Sequence, residues 1–128
     1  MNDKVKALFK AQPWTLATCG SEPNAVPVLF KDVCDDGTLT VGDVFLDTTL
    51  KNISSNGMIA VSAFDPATLE GYQIKGVARH VASGGVVEAY KKAVAEAFGS
   101  SASAKGALII TPKSVVVTTP GPDNKKTL

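Results

Sequence analysis

Chemistry has few places to sit in this chain, and the richest is the run from Gly42 to Asn52. Gly42-Asp43 closes an apolar stretch. Asp47-Thr48-Thr49 then opens a helical pattern, with Lys51 and Asn52 in its first turn. A helix start presents unpaired amide donors and the positive end of its dipole, which suits a phosphate group. Two hydroxyls and a lysine add donors and charge. Asp47 would repel an anion unless its side chain caps the helix. A capped helix with no ligand accounts for the same residues. The second place is Pro27, inside Val26-Pro27-Val28-Leu29. Proline cannot donate a ladder hydrogen bond, so this strand is an edge, a bulge or the lip of a cleft. A flat apolar lip suits a planar heteroaromatic ring; an irregular edge strand fits equally well.

The remaining reactive residues do not assemble into a known device. His80 is the only histidine and lies mid-strand beside Arg79. A catalytic triad needs a nucleophile, a base and an orienting acid, so His80 reads as a strand histidine at a surface or interface. Cys19 and Cys34 fall in separate expected strands and match no metal-ligand spacing, so no metal site is expected. Asp35-Asp36 is explained by a turn. Neither a dinucleotide-binding glycine pattern nor a phosphate-binding P-loop occurs. No catalytic side chain is identified.

The elements that must position these residues follow from periodicity and turn chemistry. Residues 3–11 form a short helix: Val5, Leu8 and Phe9 make an apolar stripe, Asp3 can cap the start and Pro13 ends it. Strands are expected at 14–19, 24–33 and 38–43, the last two joined by the Asp35-Asp36-Gly37 hairpin turn. Together they would make a meander. A second helix spans 48–56, with Asp47 or Thr48 as its cap and Asn56-Gly57 as its stop. Strands follow at 58–64 and 71–82, the latter holding Gly76 where glycine often marks a bulge. The clearest helix is 86–98, with Val86, Tyr90, Ala93, Val94, Ala97 and Phe98 on one face. A last strand spans 107–118, interrupted at Pro112, before a polar tail. Unbroken meanders favour antiparallel pairing, and six such strands can close a small barrel.

Bulk properties agree. The chain has 128 residues, 45% hydrophobic and 20% charged, with a net charge of +1. That suits one ordinary domain over residues 1–128 and argues against a nucleic-acid binder or a disordered chain. No apolar run is long enough to span a membrane. The N-terminal residues mix charges and lack the apolar centre of a signal peptide, so a cytoplasmic protein with two free thiols is expected.

Taken in order, these pieces resemble a known family. WTLATCGSEPNAVPVLFKDVCDDGTLTVGD, from Trp14 to Asp43, is similar to the opening of the pyridoxamine 5′-phosphate oxidase-like, FMN-binding split-barrel family. That opening is a strand of small residues, a Gly/Pro turn, a strand with Pro-Val near its centre, and an Asp-Gly hairpin. Lys51-Asn52-Ile53-Ser54-Ser55-Asn56-Gly57 stands where the family has a helix ending in Asn-Leu-x-x-Asn-Pro. Gln73-Ile74-Lys75-Gly76-Val77-Ala78 resembles the family's later strand with an internal glycine, and VVVTTPGPDNKKTL its last strand and Pro-Gly tail.

The resemblance implies a mainly β (α+β) fold, a six-stranded antiparallel split β-barrel with short flanking helices, and FMN bound at a homodimer interface. Val26, Pro27, Val28 and Leu29 would line the flavin ring, and Val41 and Gly42 would lie beside the ring or its ribityl chain. Thr48 and Thr49 would take the phosphate positions, with Asp47 at the helix start and Lys51 and Asn52 nearby. Many members carry Arg and Lys where Thr48 and Thr49 stand here. The oxidase itself holds pyridoxamine with Arg and His residues of a C-terminal extension, and the tail here contains neither. The implied function is an FMN flavoprotein, a small oxidoreductase or electron carrier acting with a small redox substrate or an electron-transfer partner. The alternative is a non-catalytic binding module on the same barrel, holding a deazaflavin, haem or no cofactor.

Overall fold

The computed structural model describes residues Met1–Leu128. Helix α1 (Asp3–Ala11) starts at Asn2 rather than Asp3. The Asn2 side-chain oxygen accepts the Val5 amide at 2.9 Å, leaving Asp3 as an acidic group in the first turn. At the other end the Phe9 carbonyl accepts from the Trp14 indole at 2.7 Å and from Lys31 Nζ at 3.0 Å. Lys31 also lies 5.0 Å from the Trp14 ring centroid. A cation thus satisfies the carbonyl end of the helix dipole and an aromatic face together.

Seven strands follow: β1 (Trp14–Cys19), β2 (Pro23–Val28), β3 (Lys31–Val33), β4 (Leu39–Asp43), β5 (Met58–Phe64), β6 (Gly71–Val81) and β7 (Gly106–Val117). The helices α2 (Thr48–Asn56) and α3 (Gly85–Phe98) lie between β4 and β5 and between β6 and β7. All pairings are antiparallel, in the order β2-β1-β5-β6-β7-β4-β3. The fold is a split barrel with seven strands instead of six, because the expected strand 24–33 breaks in two.

The break also corrects the expected three-strand meander. β2 pairs with β1 and β3 pairs with β4, but β4 turns to β7 and never meets β2. β2 and β3 occupy opposite edges of the sheet, yet only Leu29 and Phe30 separate them. The sheet must therefore curl until its edges meet at those two residues. The Gly42 amide marks the meeting point by donating to the Phe30 carbonyl at 2.9 Å.

Inside, alternating residues of β1, β4, β5, β6 and β7 make one core, with Leu16, Val41, Val61, Ile74, Leu108 and Ile110 fully buried. A smaller cluster, centred on Val87, Tyr90 and Val94, seats α3 against the outside of the barrel. This explains why all five residues of β4 are buried: one face meets the core and the other meets α3. Strand β7 is not broken at Pro112. Pro112 faces Gly76 beside a register shift that leaves Lys113 of β7 unpaired, so the ladder absorbs the missing donor there. A methyl on Gly76 would strike the Thr111 carbonyl oxygen and come within 3.2 Å of the Pro112 Cα, so this crossing requires glycine.

Candidate functional site

A cleft of about 460 Å³ opens where the barrel edges meet. This is within the range of small-molecule pockets, about 300–1,000 Å³. One wall is Val26, Pro27, Val28 and Leu29; the other is Gly42 with the loop residues Val44, Phe45 and Leu46. Phe30 and Phe98 join the walls and meet edge to face, with centroids 5.8 Å apart at 70°. Pro27 is tolerated because β2 is an edge strand bonded only to β1. Leu29 and Phe45 are 76% and 78% exposed, unusual for side chains this large and apolar.

Gly42 fixes the depth of one wall. A methyl there would lie 2.9 Å from the Tyr90 ring and 3.2 Å from Phe30 Cβ. Glycine therefore lets α3 close on β4, and the Tyr90 hydroxyl reaches Thr40 Oγ1 at 2.7 Å. Burial pushes the Tyr90 phenol up to about 12, against the opposing pull of that hydrogen bond.

The cleft wall runs from Leu46 directly into the start of α2. Asp47 occupies the cap position, but its side chain makes no capping bond, correcting that expectation. It lies instead 3.6 Å from Lys51 Nζ, as an exposed pair. Thr48 is exposed beside it. Thr49 and Asn52 have turned inward. Asn24 Nδ2 donates to Thr49 Oγ1 at 3.1 Å and to Thr18 Oγ1 at 3.4 Å, and Asn52 Nδ2 donates to Thr18 Oγ1 at 3.0 Å. These bonds clasp α2 to the β1–β2 hairpin.

Of the residues singled out from sequence, Val26, Pro27, Val28, Leu29 and Gly42 share the cleft. Asp47, Thr48 and Lys51 lie at the exposed helix start next to it, Thr49 and Asn52 form the clasp, and Val41 points into the barrel core. Sequence reasoning missed Phe30, Val44, Phe45, Leu46 and Phe98. The signal for three of them was present: Val44-Phe45-Leu46 is an apolar run in a loop, where solvent alone would favour polar residues.

Both cysteines are free, Cys19 exposed and Cys34 half-buried. No three His, Cys, Asp or Glu side chains gather in a metal-binding group. No helix is long and apolar enough to cross a membrane.

The chain is thus an antiparallel split barrel with an apolar cleft at its seam and a helix start beside it. The family described as pyridoxamine 5′-phosphate oxidase matches residues 1–121, and the chain belongs to it. Among solved structures, HupZ of Group A Streptococcus is 26% identical, with a TM-score of 0.82 over 96% of this chain and 98% of that one. An FMN-binding protein from Syntrophomonas wolfei is 16% identical, with a TM-score of 0.79 over 94% of this chain and 87% of its own. An F420 reductase is 15% identical, with a TM-score of 0.67 over 90% of this chain and 98% of its own. Curated proteins give no match.

Proposed function

We propose that this chain is an FMN-binding flavoprotein, a small oxidoreductase or electron carrier that works as a homodimer in the cytoplasm. The observation that carries this reading is the continuity of the apolar cleft with the start of α2. A planar ring fits between the Pro27 strand and Val44–Leu46, and the phosphate would take the first-turn amides of α2 and the Thr48 hydroxyl. Lys51 adds charge once Asp47 releases it. A bound flavin supplies the hydride or electron chemistry; the chain's own residues hold the ring, orient it and exclude water. Membership of the family and the likeness to an FMN-binding protein support the same reading.

A second reading has its own observation. The cationic group at the α2 start is paired with Asp47, and Thr49 is engaged by Asn24, so the phosphate site rests largely on neutral donors. A haem, which carries no phosphate, meets that objection in the same apolar cleft; a deazaflavin would do so only where its ring supplies most of the binding.

Titrating the purified protein separately with FMN, FAD, a deazaflavin and haem tests both. Saturable FMN binding that shifts the visible flavin bands, and that weakens at least about tenfold in Leu29→Glu, supports the first reading. Saturation by deazaflavin or haem alone would replace it with the second. An unchanged flavin spectrum and no uptake of any of the four would remove both.

A further inference from the structure

Asp43 lies between Gly42 and Val44, which both line the cleft, but strand alternation turns its own side chain to the other face. There the carboxylate is 1% exposed, and only one of its oxygens is hydrogen-bonded. Oδ2 is 3.0 Å from His80 Nε2. Toward an ionised carboxylate, which only accepts, Nε2 would be the donor in this bond. Oδ1 has no hydrogen-bond partner and faces Lys105 Nζ at 3.9 Å.

Lys105 does more than face the charge. Its backbone amide donates to the Asp43 carbonyl at 2.8 Å, and its Nζ donates to the Leu46 carbonyl at 3.3 Å. Two residues from separate parts of the chain, His80 and Lys105, thus hold both ends of the segment Asp43–Leu46, which contains the exposed Phe45. The place for the imidazole is built to measure. Gly106 packs against it so closely that a methyl there would lie 2.5 Å from Nε2.

We propose that Asp43, His80 and Lys105 form a clamp that sets the lip of the cleft, with His80 as a positioning residue acting through Asp43. A buried carboxylate with one unmet oxygen is costly unless its remaining partners stay in place. Losing the His80 donor therefore frees Asp43 to seek water, and the lip moves with it. The clamp rests on the proposed ligand site for its purpose, but its mechanics can be read without any ligand.

The test is chymotrypsin cleavage after Phe45 in the free, folded protein, followed by mass spectrometry. Cleavage after the exposed Phe64 in strand β5 is the internal reference for global opening. His80→Leu removes the donor, and His80→Gln restores an N–H of similar reach. The expected result is cleavage after Phe45 about tenfold faster in His80→Leu, with Phe64 unchanged and His80→Gln close to the parent protein. Lys105→Met is expected to loosen the same bond from the Leu46 side. FMN affinity, where the parent protein binds it, falls in His80→Leu and recovers in His80→Gln. Equal acceleration at Phe45 and Phe64 would overturn the clamp, as would no acceleration at Phe45 or a glutamine variant that behaves like leucine. Failure of the parent protein to bind FMN would count against the proposed function and leave the cleavage result standing on its own.

Discussion

Tyr90 and Tyr72 are the only tyrosines, and the barrel holds both phenols neutral well into alkali. Burial raises Tyr72 to about 12, with the hydrogen bond and charge of Glu70 adding to it; burial raises Tyr90 to the same region. An unfolded phenol titrates near 10. The stabilisation from keeping them neutral is complete below about pH 10 and is lost as pH rises through the folded values near 12. Native protein is thus expected to show almost no tyrosinate absorbance at a pH that half-ionises free tyrosine, and to lose unfolding free energy above it. Tyr90→Phe removes part of that loss; an early native tyrosinate signal of two residues would contradict the burial. At this scale the sequence was legible wherever backbone chemistry dictated the residue. Gly76 was readable as a bulge, Gly37 as a hairpin turn with φ +90° and Gly57 as a left-handed helix stop with φ +70°. Asp43 was not. Its importance comes from His80 and Lys105, distant in sequence, and nothing in Gly42-Asp43 itself announces a buried charge.

Among the elements, α2 carries the sharpest conflict between local chemistry and proposed use. Its start is open to an anion, yet the residue in the cap position is an uncapping aspartate that pairs with the nearest lysine. Asp47→Ser is expected to tighten FMN binding about two- to fivefold by removing the like charge, supplying a capping hydroxyl and freeing Lys51. Isothermal titration at low and moderate salt checks this, with the gain shrinking as salt rises. Weaker binding would show that the phosphate lies elsewhere. The helix was easy to place from its apolar spacing and Asn56-Gly57 stop. The inward rotation of Thr49 and Asn52 was not, because it depends on Asn24 and Thr18 in a hairpin folded beneath them. Two of the residues expected near a phosphate, Thr49 and Asn52, are hydrogen-bonded to that hairpin.

For the molecule as a whole, the large apolar side chains left in water are the outstanding fact. Leu29 and Phe45 stand at the cleft mouth, while Met58 and Phe64 lie on β5 at 52% and 55% exposure. A second copy covering the cleft would withdraw such groups from water, at about 25 cal/mol per Å² of apolar surface. Light scattering at micromolar concentration is expected to give twice the 13.2 kDa chain mass, and Leu29→Lys to shift the protein towards monomer and weaken FMN binding together. A monomeric parent protein with undiminished FMN affinity would separate the two properties. Element order was readable except at Leu29–Phe30, because every strand but β2 ends in, or is followed within three residues by, Gly, Pro or Asp. Strand pairing was not, since the contacts of β4 with β7, and of Phe98 with the cleft, join stretches far apart in sequence.

That pairing has a mechanical consequence. One stretch of backbone, residues 23–33, is sewn into both rims of the sheet, so a guest molecule cannot enter by peeling the rims apart without breaking ladders on both sides at once. Any widening has to come from the parts of the wall outside the strand ladders, the Val44–Leu46 loop held at its two ends and the end of α3. Adaptation to guests of different girth is thereby confined to a few side chains, while the barrel itself keeps a fixed circumference.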